Sequence, residues 1–378
     1  MIRLIALSLL CSINCAKADW IDDYTNSLGQ KASAAHIPGY AVAIVETDKK
    51  PRIYTYGYTD KGGKAIDEHT VFRLASVSKT FTSTLVARLA EQGKIHWRTS
   101  ITTLAPASGF GTSGRANLTL EHILSQSSGY MPNSYDNLIE ANYSVKRVLN
   151  KLADLEPLCE PGSCYTYQNA LFGSVDNYFR LKNSSYAQQL KGEIIQPLKM
   201  PDAGVGATEL QSSDRWAKPH VAVDKNRWVK TRVREDYYHF PAAAGVNASI
   251  DDMVIWMQAM LGDYPKVVSS DTLSKLTTPH VITKRELYRQ GWKGLVDDAW
   301  YGLGWRIYQI GDETLIYHSG WVQGYRAEIA FSPKHQIAMT ILMNAESNLI
   351  NEVGAAFWRE YFQHQLPKKS QQTISAAE

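Results

Sequence analysis

Ser76-Val77-Ser78-Lys79, running on into Thr80-Phe81-Thr82-Ser83-Thr84-Leu85-Val86-Ala87-Arg88-Leu89, is the stretch on which the reading of this chain turns. Phe81, Leu85 and Leu89 recur every four residues, Val86 widens the stripe, and Gly93 offers a stop. The spacing predicts a helix that opens at the serine. Three residues is just under one turn, so Ser76 and Lys79 project from one face. A hydroxyl is a poor nucleophile until its proton is removed. A lysine one turn away in a water-poor cleft can lose its own proton and then take that of the serine.

The chain has 378 residues, enough for one large domain or two. Residues 1–18 read as a secretory signal, with Arg3 as the charged start, an apolar run over 4–10 and Ala16-Lys17-Ala18 as the small-residue cleavage site. The apolar run is too short to span a bilayer. The expectation is therefore an exported protein, periplasmic or extracellular, with no integral membrane segment once the signal is removed. That removal takes Arg3 and Lys17 from 40 basic residues and none from 37 acidic ones. The near-neutral remainder points away from nucleic acid as a partner. Cys159 and Cys164 remain and bracket Glu-Pro-Gly-Ser, and an oxidising compartment favours a disulfide between them. There is no HExxH, paired CxxC or Walker loop, and the histidines are scattered, so no metal or cofactor is expected.

Residues 40–46 (YAVAIVE) and 53–58 (IYTYGY) predict a hairpin-like pair of strands, and further strand-like runs fall at 305–309, 314–318, 327–331 and 337–343. Helical patterns broken by polar and Gly/Pro-rich loops fill about 99–241, and amphipathic stretches recur at 251–261 and 351–364. The fold class expected is α/β (α+β): an antiparallel sheet flanked by helices and built from residues 19–98 and 245–366. A mostly helical domain, 99–244, is inserted between them, and a polar tail follows at 367–378. A cleft between two such lobes is a natural pocket.

Two further motifs stand at the right places for acyl transfer. Tyr167-Gln168-Asn169 lies in a turn-rich stretch just before a helix, and His318-Ser319-Gly320 ends a predicted strand, followed by Trp321. Together with the serine motif, and with TLEHILSQSSG (119–129), PAAAGVNAS (241–249), YGLGW (301–305) and GYRAEIAFSP (324–333), these resemble the serine penicillin-recognising superfamily. That group includes class C β-lactamases, D-Ala-D-Ala carboxypeptidases, D-aminopeptidases and related esterases. The resemblance covers roughly 40–362 in the family's order, and the fold it implies is β-lactamase/transpeptidase-like. It implies Ser76 as the acylated nucleophile, Lys79 and Tyr167 as its proton partners, and Asn169 as the holder of the substrate amide. His318, Ser319 and Gly320 fall where many relatives carry Lys-Thr-Gly lining the cleft. The backbone N–H groups of Ser76 and Trp321 match the oxyanion donors, and Asn344 matches a substrate-contacting asparagine.

Histidine in place of lysine is the main departure. A lysine there keeps its charge near neutral pH, whereas a histidine at about 6.5 does not. The expectation is that carboxylate substrates lose a cationic partner as His318 deprotonates, which leans away from an efficient β-lactamase. Trp321 is large where relatives are small, and its ring either packs or stacks on a ligand. The function implied is an exported SxxK serine hydrolase of the DD-carboxypeptidase/β-lactamase-related kind. It forms an acyl-enzyme on D-Ala-D-Ala type peptides, with β-lactams and then esters as alternatives. An acylated sensor without turnover is the reading of another class. No G-x-S-x-G elbow is present, which excludes an ordinary α/β-hydrolase.

Overall fold

The computed structural model describes residues 20–111, 117–225 and 227–365. The predicted signal segment and the polar tail lie outside the described residues. In chain order the strands are β1 (Gly39–Glu46), β2 (Arg52–Gly57), β3 (Phe72–Arg73), β4 (Gly204–Val205), β5 (His220–Asp224), β6 (Arg227–Lys230) and β7 (Val246–Ala248). There follow β8 (Val281–Ile282), β9 (Asp298–Tyr301), β10 (Arg306–Ile310), β11 (Glu313–Val322), β12 (Tyr325–Ser332) and β13 (Ile337–Met343).

Eight of these form one sheet, in the order β2-β1-β13-β12-β11-β10-β9-β8, and its pairs are antiparallel. The sheet thus joins the two ends of the chain, as the sequence predicts. Its central strands are apolar on both faces because both faces are covered. Along β1, Ala41, Ala43 and Val45 enter one core while Tyr40, Val42 and Ile44 enter the other. The first core holds the helix Ser78–Glu91, with Phe81 stacked on Trp256 of the Ile250–Leu261 helix at 3.9 Å between ring centroids. The second core is capped by the N-terminal helix Trp20–Ala34 and the closing helix Leu349–Gln365.

The stretch 99–244 carries short helices separated by loops, and also β4 and the β5–β6 hairpin, which its loop-rich texture did not predict. Within it, the Cys159–Cys164 disulfide is present. Among the described residues no helix is long and apolar enough to cross a membrane.

Candidate active site

The predicted helix at Ser76 begins two residues later than its spacing suggests. Ala75–Val77 is a turn of 3-10 helix, and the α-helix runs Ser78–Glu91. Gly93, at φ +69°, ends it: its N–H donates to Ala90 O, and the Lys94 N–H donates to Leu89 O. Ala75, just before the serine, has φ +49°, a left-handed conformation that costs an L-residue energy and that the surrounding packing enforces. Ser76 is the one residue of 75–80 that is not fully buried, so the turn lifts its hydroxyl into the cleft while the helix beyond stays in the core.

Lys79 is completely buried, and its Nζ meets three oxygens: Asn169 Oδ1 at 2.8 Å, Ala243 O at 3.0 Å and Ser76 Oγ at 3.1 Å. Asn169 and Ala243 each take an N–H. The third direction, toward Ser76, holds an N–H when the lysine is charged and a lone pair when it is neutral. Burial holds Lys79 below the usual lysine value, the nearby Tyr167 pulls it part of the way back, and Arg306 lowers it. Tyr167 completes the group: its phenol interacts with the side chains of both Ser76 and Lys79. Burial pushes that phenol up, but Lys79, Arg306 and the Ser76 hydrogen bond together bring it below the usual tyrosine value. The two groups therefore titrate as a pair.

Tyr167 is delivered by the disulfide-bearing loop. Thr166 N–H donates to Gln126 O, Gly162 N–H to Ser127 O and Leu158 N–H to Gly129 O, so the loop is stitched along the 126–129 segment. Asn169 is oriented at both ends. Its Oδ1 accepts from Lys79 and its Nδ2 donates to Asp136 Oδ2 at 2.8 Å, leaving one N–H for another acceptor. Burial pushes the Asp136 carboxyl up to about 6.

The strand that faces Ser76 extends beyond its predicted end at His318, because β11 stays in register with β12 as far as Val322. Its other neighbour, β10, starts at Arg306 opposite Tyr317. Two-residue turns close both hairpins, so β11 residues alternate between partners. The N–H groups of Ser319 and Trp321 point off the edge that β10 no longer covers. Gly320 permits the close approach: a Cβ there would stand 2.2 Å from Leu74 O and 3.0 Å from Ser76 N. Strand β11 and the turn at Ser76 are thus packed backbone to backbone at this point.

Two residues implied by the resemblance sit elsewhere than a contact role requires. His318 is wholly buried and lies outside the cleft lining. Its Nδ1 is 2.9 Å from Ser319 O, which can only accept, so Nδ1 carries the proton and Nε2 accepts from the Tyr301 hydroxyl at 3.0 Å. Burial, then Arg306 and Lys79, hold it well below the usual histidine value. The expected loss of a cation on deprotonation is therefore corrected: this imidazole is neutral throughout the neutral range and positions its neighbours. Asn344 is also buried, and its Nδ2 donates to the backbone oxygens of Tyr58 and Thr59 at 3.2 and 3.3 Å. It ties β13 to the segment after β2 and does not line the cleft.

The positive charge absent from His318 comes from residues the motifs did not mark. Arg289 and Arg306 both line a cleft of about 900 Å³ that also includes Ser76, Tyr167 and Asn169. Glu286 binds both: Oε1 is 3.0 Å from Arg306 Nε, and Oε2 is 3.3 Å from Arg289 Nη1 and accepts from Tyr308 at 2.6 Å. Against the upward push of burial, the two guanidiniums bring the Glu286 carboxyl down to about 2. One carboxylate facing two guanidiniums leaves a net positive charge. Arg289 Nη2 also donates to Ser319 Oγ, and its Nε is buried without a partner. Only Arg306 had a signal in the sequence, since it directly follows YGLGW. Among the described residues no cluster could hold a metal ion.

A family model described as Beta-lactamase matches residues 21–360. The chain is 25% identical over 355 residues to a β-lactamase of Yersinia enterocolitica, covering 84% of this chain and 85% of that protein. It is 22% identical over 326 residues to protein flp of Staphylococcus aureus, covering 83% of this chain and 61% of that longer one. In fold it is similar to the octameric penicillin-binding protein homologue from Pyrococcus abyssi, with a TM-score of 0.75 at 20% identity over 86% of this chain and 74% of that one. It is also similar to D-amino acid amidase from Ochrobactrum anthropi SV3, with a TM-score of 0.73 at 17% identity over 91% of this chain and all of that one. With one family model spanning nearly all of the described sheet and the helices on both its faces, the chain belongs to the Beta-lactamase family, within the serine penicillin-recognising superfamily.

Proposed function

We propose that this protein is an exported acyl-transfer hydrolase in which Ser76 attacks a carbonyl carbon. The substrate class is peptides or amides of D-amino acids that carry a carboxylate on the leaving side. The observation that carries the reading is the Lys79 ammonium nitrogen 3.1 Å from Ser76 Oγ, with Tyr167 on the same hydroxyl, at the floor of the cleft. Ser76 Oγ forms a bond to the carbonyl carbon as its proton passes to the Lys79–Tyr167 pair. The oxygen that gains charge sits between the N–H groups of Ser76 and Trp321. Collapse breaks the carbon–nitrogen bond, and the pair returns the proton to the leaving nitrogen. Water then repeats the sequence and releases the acid from Ser76.

Arg289 with Ser319 supports the carboxylate preference. It supplies a permanent guanidinium at the strand where His318 cannot be charged. β-Lactams, which carry a carboxylate and a strained amide, are the second reading on the same grounds.

Intact-mass spectrometry of the protein with a β-lactam, over seconds to hours and beside Ser76→Ala, is the test. An adduct on the wild type alone supports the reading, persistent for a peptidase and transient for a β-lactamase. An adduct that survives Ser76→Ala sinks it. N-terminal sequencing of the exported form, expected to begin at Asp19, tests the secretion.

A further inference from the structure

Trp321 lines the cleft and is 60% exposed, and yet its ring is held at both ends. Its Nε1–H donates to Glu346 Oε2 at 3.1 Å, and the other oxygen of that carboxylate accepts from Gly324 N–H at 2.8 Å. The Arg326 guanidinium covers the ring, its carbon 4.6 Å from the centroid, and is itself anchored through Nη2 to Asn348 Oδ1 at 2.6 Å. A ring kept for packing would lie against the protein. This one is fixed in place by polar contacts with most of its surface left open.

The backbone fixes where that surface lies. Side chains alternate along a strand, so Ser319 and Trp321 share one face of β11, roughly 7 Å apart. Ser319 is the residue that Arg289 binds. Ser76, Arg289, Ser319 and Trp321 all line the one cleft, so the indole borders the space beside the Arg289–Ser319 pair. Ile282, 48% exposed, adds a second apolar group to the lining of the same cleft.

We propose that the open face of Trp321 is a binding shelf for an aromatic or similarly flat apolar side chain on the leaving-group residue of the substrate. The proposal rests on the acyl-transfer reading above and narrows it to a bulky terminal residue in place of alanine.

The test compares N-acetyl-D-alanyl-D-phenylalanine with N-acetyl-D-alanyl-D-alanine in the wild type, Trp321→Phe and Trp321→Ala. The wild type is expected to favour the phenylalanine peptide in kcat/KM by about tenfold or more, the scale on which one apolar contact discriminates. The ratio persists in part in Trp321→Phe, which keeps a flat ring, and falls toward unity in Trp321→Ala. Equal cleavage of both peptides by the wild type, or a preference that survives Trp321→Ala, overturns the shelf and leaves the hydrolase reading standing. If neither peptide is cleaved, the hydrolase reading fails for this class, and equilibrium binding to Ser76→Ala decides the shelf. Tighter binding of the phenylalanine peptide that is lost on adding Trp321→Ala supports it, and equal binding overturns it.

Discussion

Two groups of polar and charged side chains meet beside β11, and they differ in how they are assembled. Ser76, Lys79, Tyr167 and Asn169 come from two short segments, each fixed locally by a helical turn or by a disulfide-bearing loop. Glu286, Arg289 and Arg306 come from a 3-10 turn, the residue after it and the first residue of β10, and they meet only because the sheet brings them together. In the proposed function the first group carries proton transfer. The second carries charge and holds the edge of the strand. Replacements in the first should change rate without changing stability, and replacements in the second should change stability and pH response.

The largest effect expected is on rate. Tyr167→Phe removes one member of the proton-transferring pair and should lower kcat/KM by about 10²–10⁴-fold, the range for a positioned acid–base group. The thermal midpoint should stay close to that of the wild type, because the ring keeps its place between Lys79 and Arg306. A stopped-flow acylation assay beside a melting curve separates the two, and a large loss of stability with little loss of rate would erase the contrast.

Glu286→Gln attacks the second group. It leaves two buried guanidiniums without a counter-charge, and breaking a buried pair costs about 3–5 kcal/mol. The pH dependence gives an independent reading. With the folded carboxyl at about 2 and the ordinary glutamate at 4.5, the folded state binds fewer protons than the unfolded one between those values. The stability Glu286 contributes is thus fully present above pH 4.5 and is lost as pH falls toward 2. Chemical unfolding from pH 6 to pH 2.5 should show that loss in the wild type and not in Glu286→Gln.

The contrast also explains what could be read from the sequence. The sheet was legible because 40–46 and 337–343 are apolar on both faces, and a strand covered on both sides reads as a continuous run. Ser76, Lys79 and Tyr167 could be marked in the sequence because each stands in a short motif, and the structure brings the three together. β8 and β9, of two and four residues, were not, since pairing with neighbours alone makes them strands. The end of β11 was misplaced because Ser319-Gly320 reads as a break, while the register with β12 carries the strand through it. The N-terminal helix Trp20–Ala34 was within reach, as Ile21, Tyr24, Leu28 and Ala32 form its buried stripe. His318 was legible as a residue but not as a state: its charge is set by burial and then by Arg306 and Lys79, which no local spacing reveals.

A smaller effect is expected at the loop that carries Tyr167. Replacing Cys159 and Cys164 by serine opens a ring with a sequence separation of only 5. For so short a loop the chain-entropy contribution is about 2 kcal/mol. The hydrogen bonds from Leu158, Gly162 and Thr166 to the 126–129 segment remain, so Tyr167 should stay in place. Melting with and without reductant should show a modest drop, and kcat should fall less than about tenfold, well short of the loss of an acid–base group. A loss of rate as large as that of Tyr167→Phe would mean that the disulfide, and not the backbone stitching, sets the position of the phenol.

The finest test asks whether the second group tunes the first. Arg306 lies 5.6 Å from the centre of the Tyr167 ring and lowers the pKa values of both Lys79 and Tyr167. Removing its charge in Arg306→Gln should raise both, so the acidic limb of kcat/KM moves to higher pH, by about one unit if a single charge at that distance is worth about 1.4 kcal/mol. His318→Gln should behave differently. The imidazole is already neutral, so the wild-type profile should contain no limb near the ordinary histidine value that this replacement removes. His318→Lys, by contrast, buries a third cation beside Arg306 and Lys79 and should destabilise the fold. An acidic limb that stays put in Arg306→Gln and shifts in His318→Gln would assign the tuning to the histidine, and the two groups would then be one.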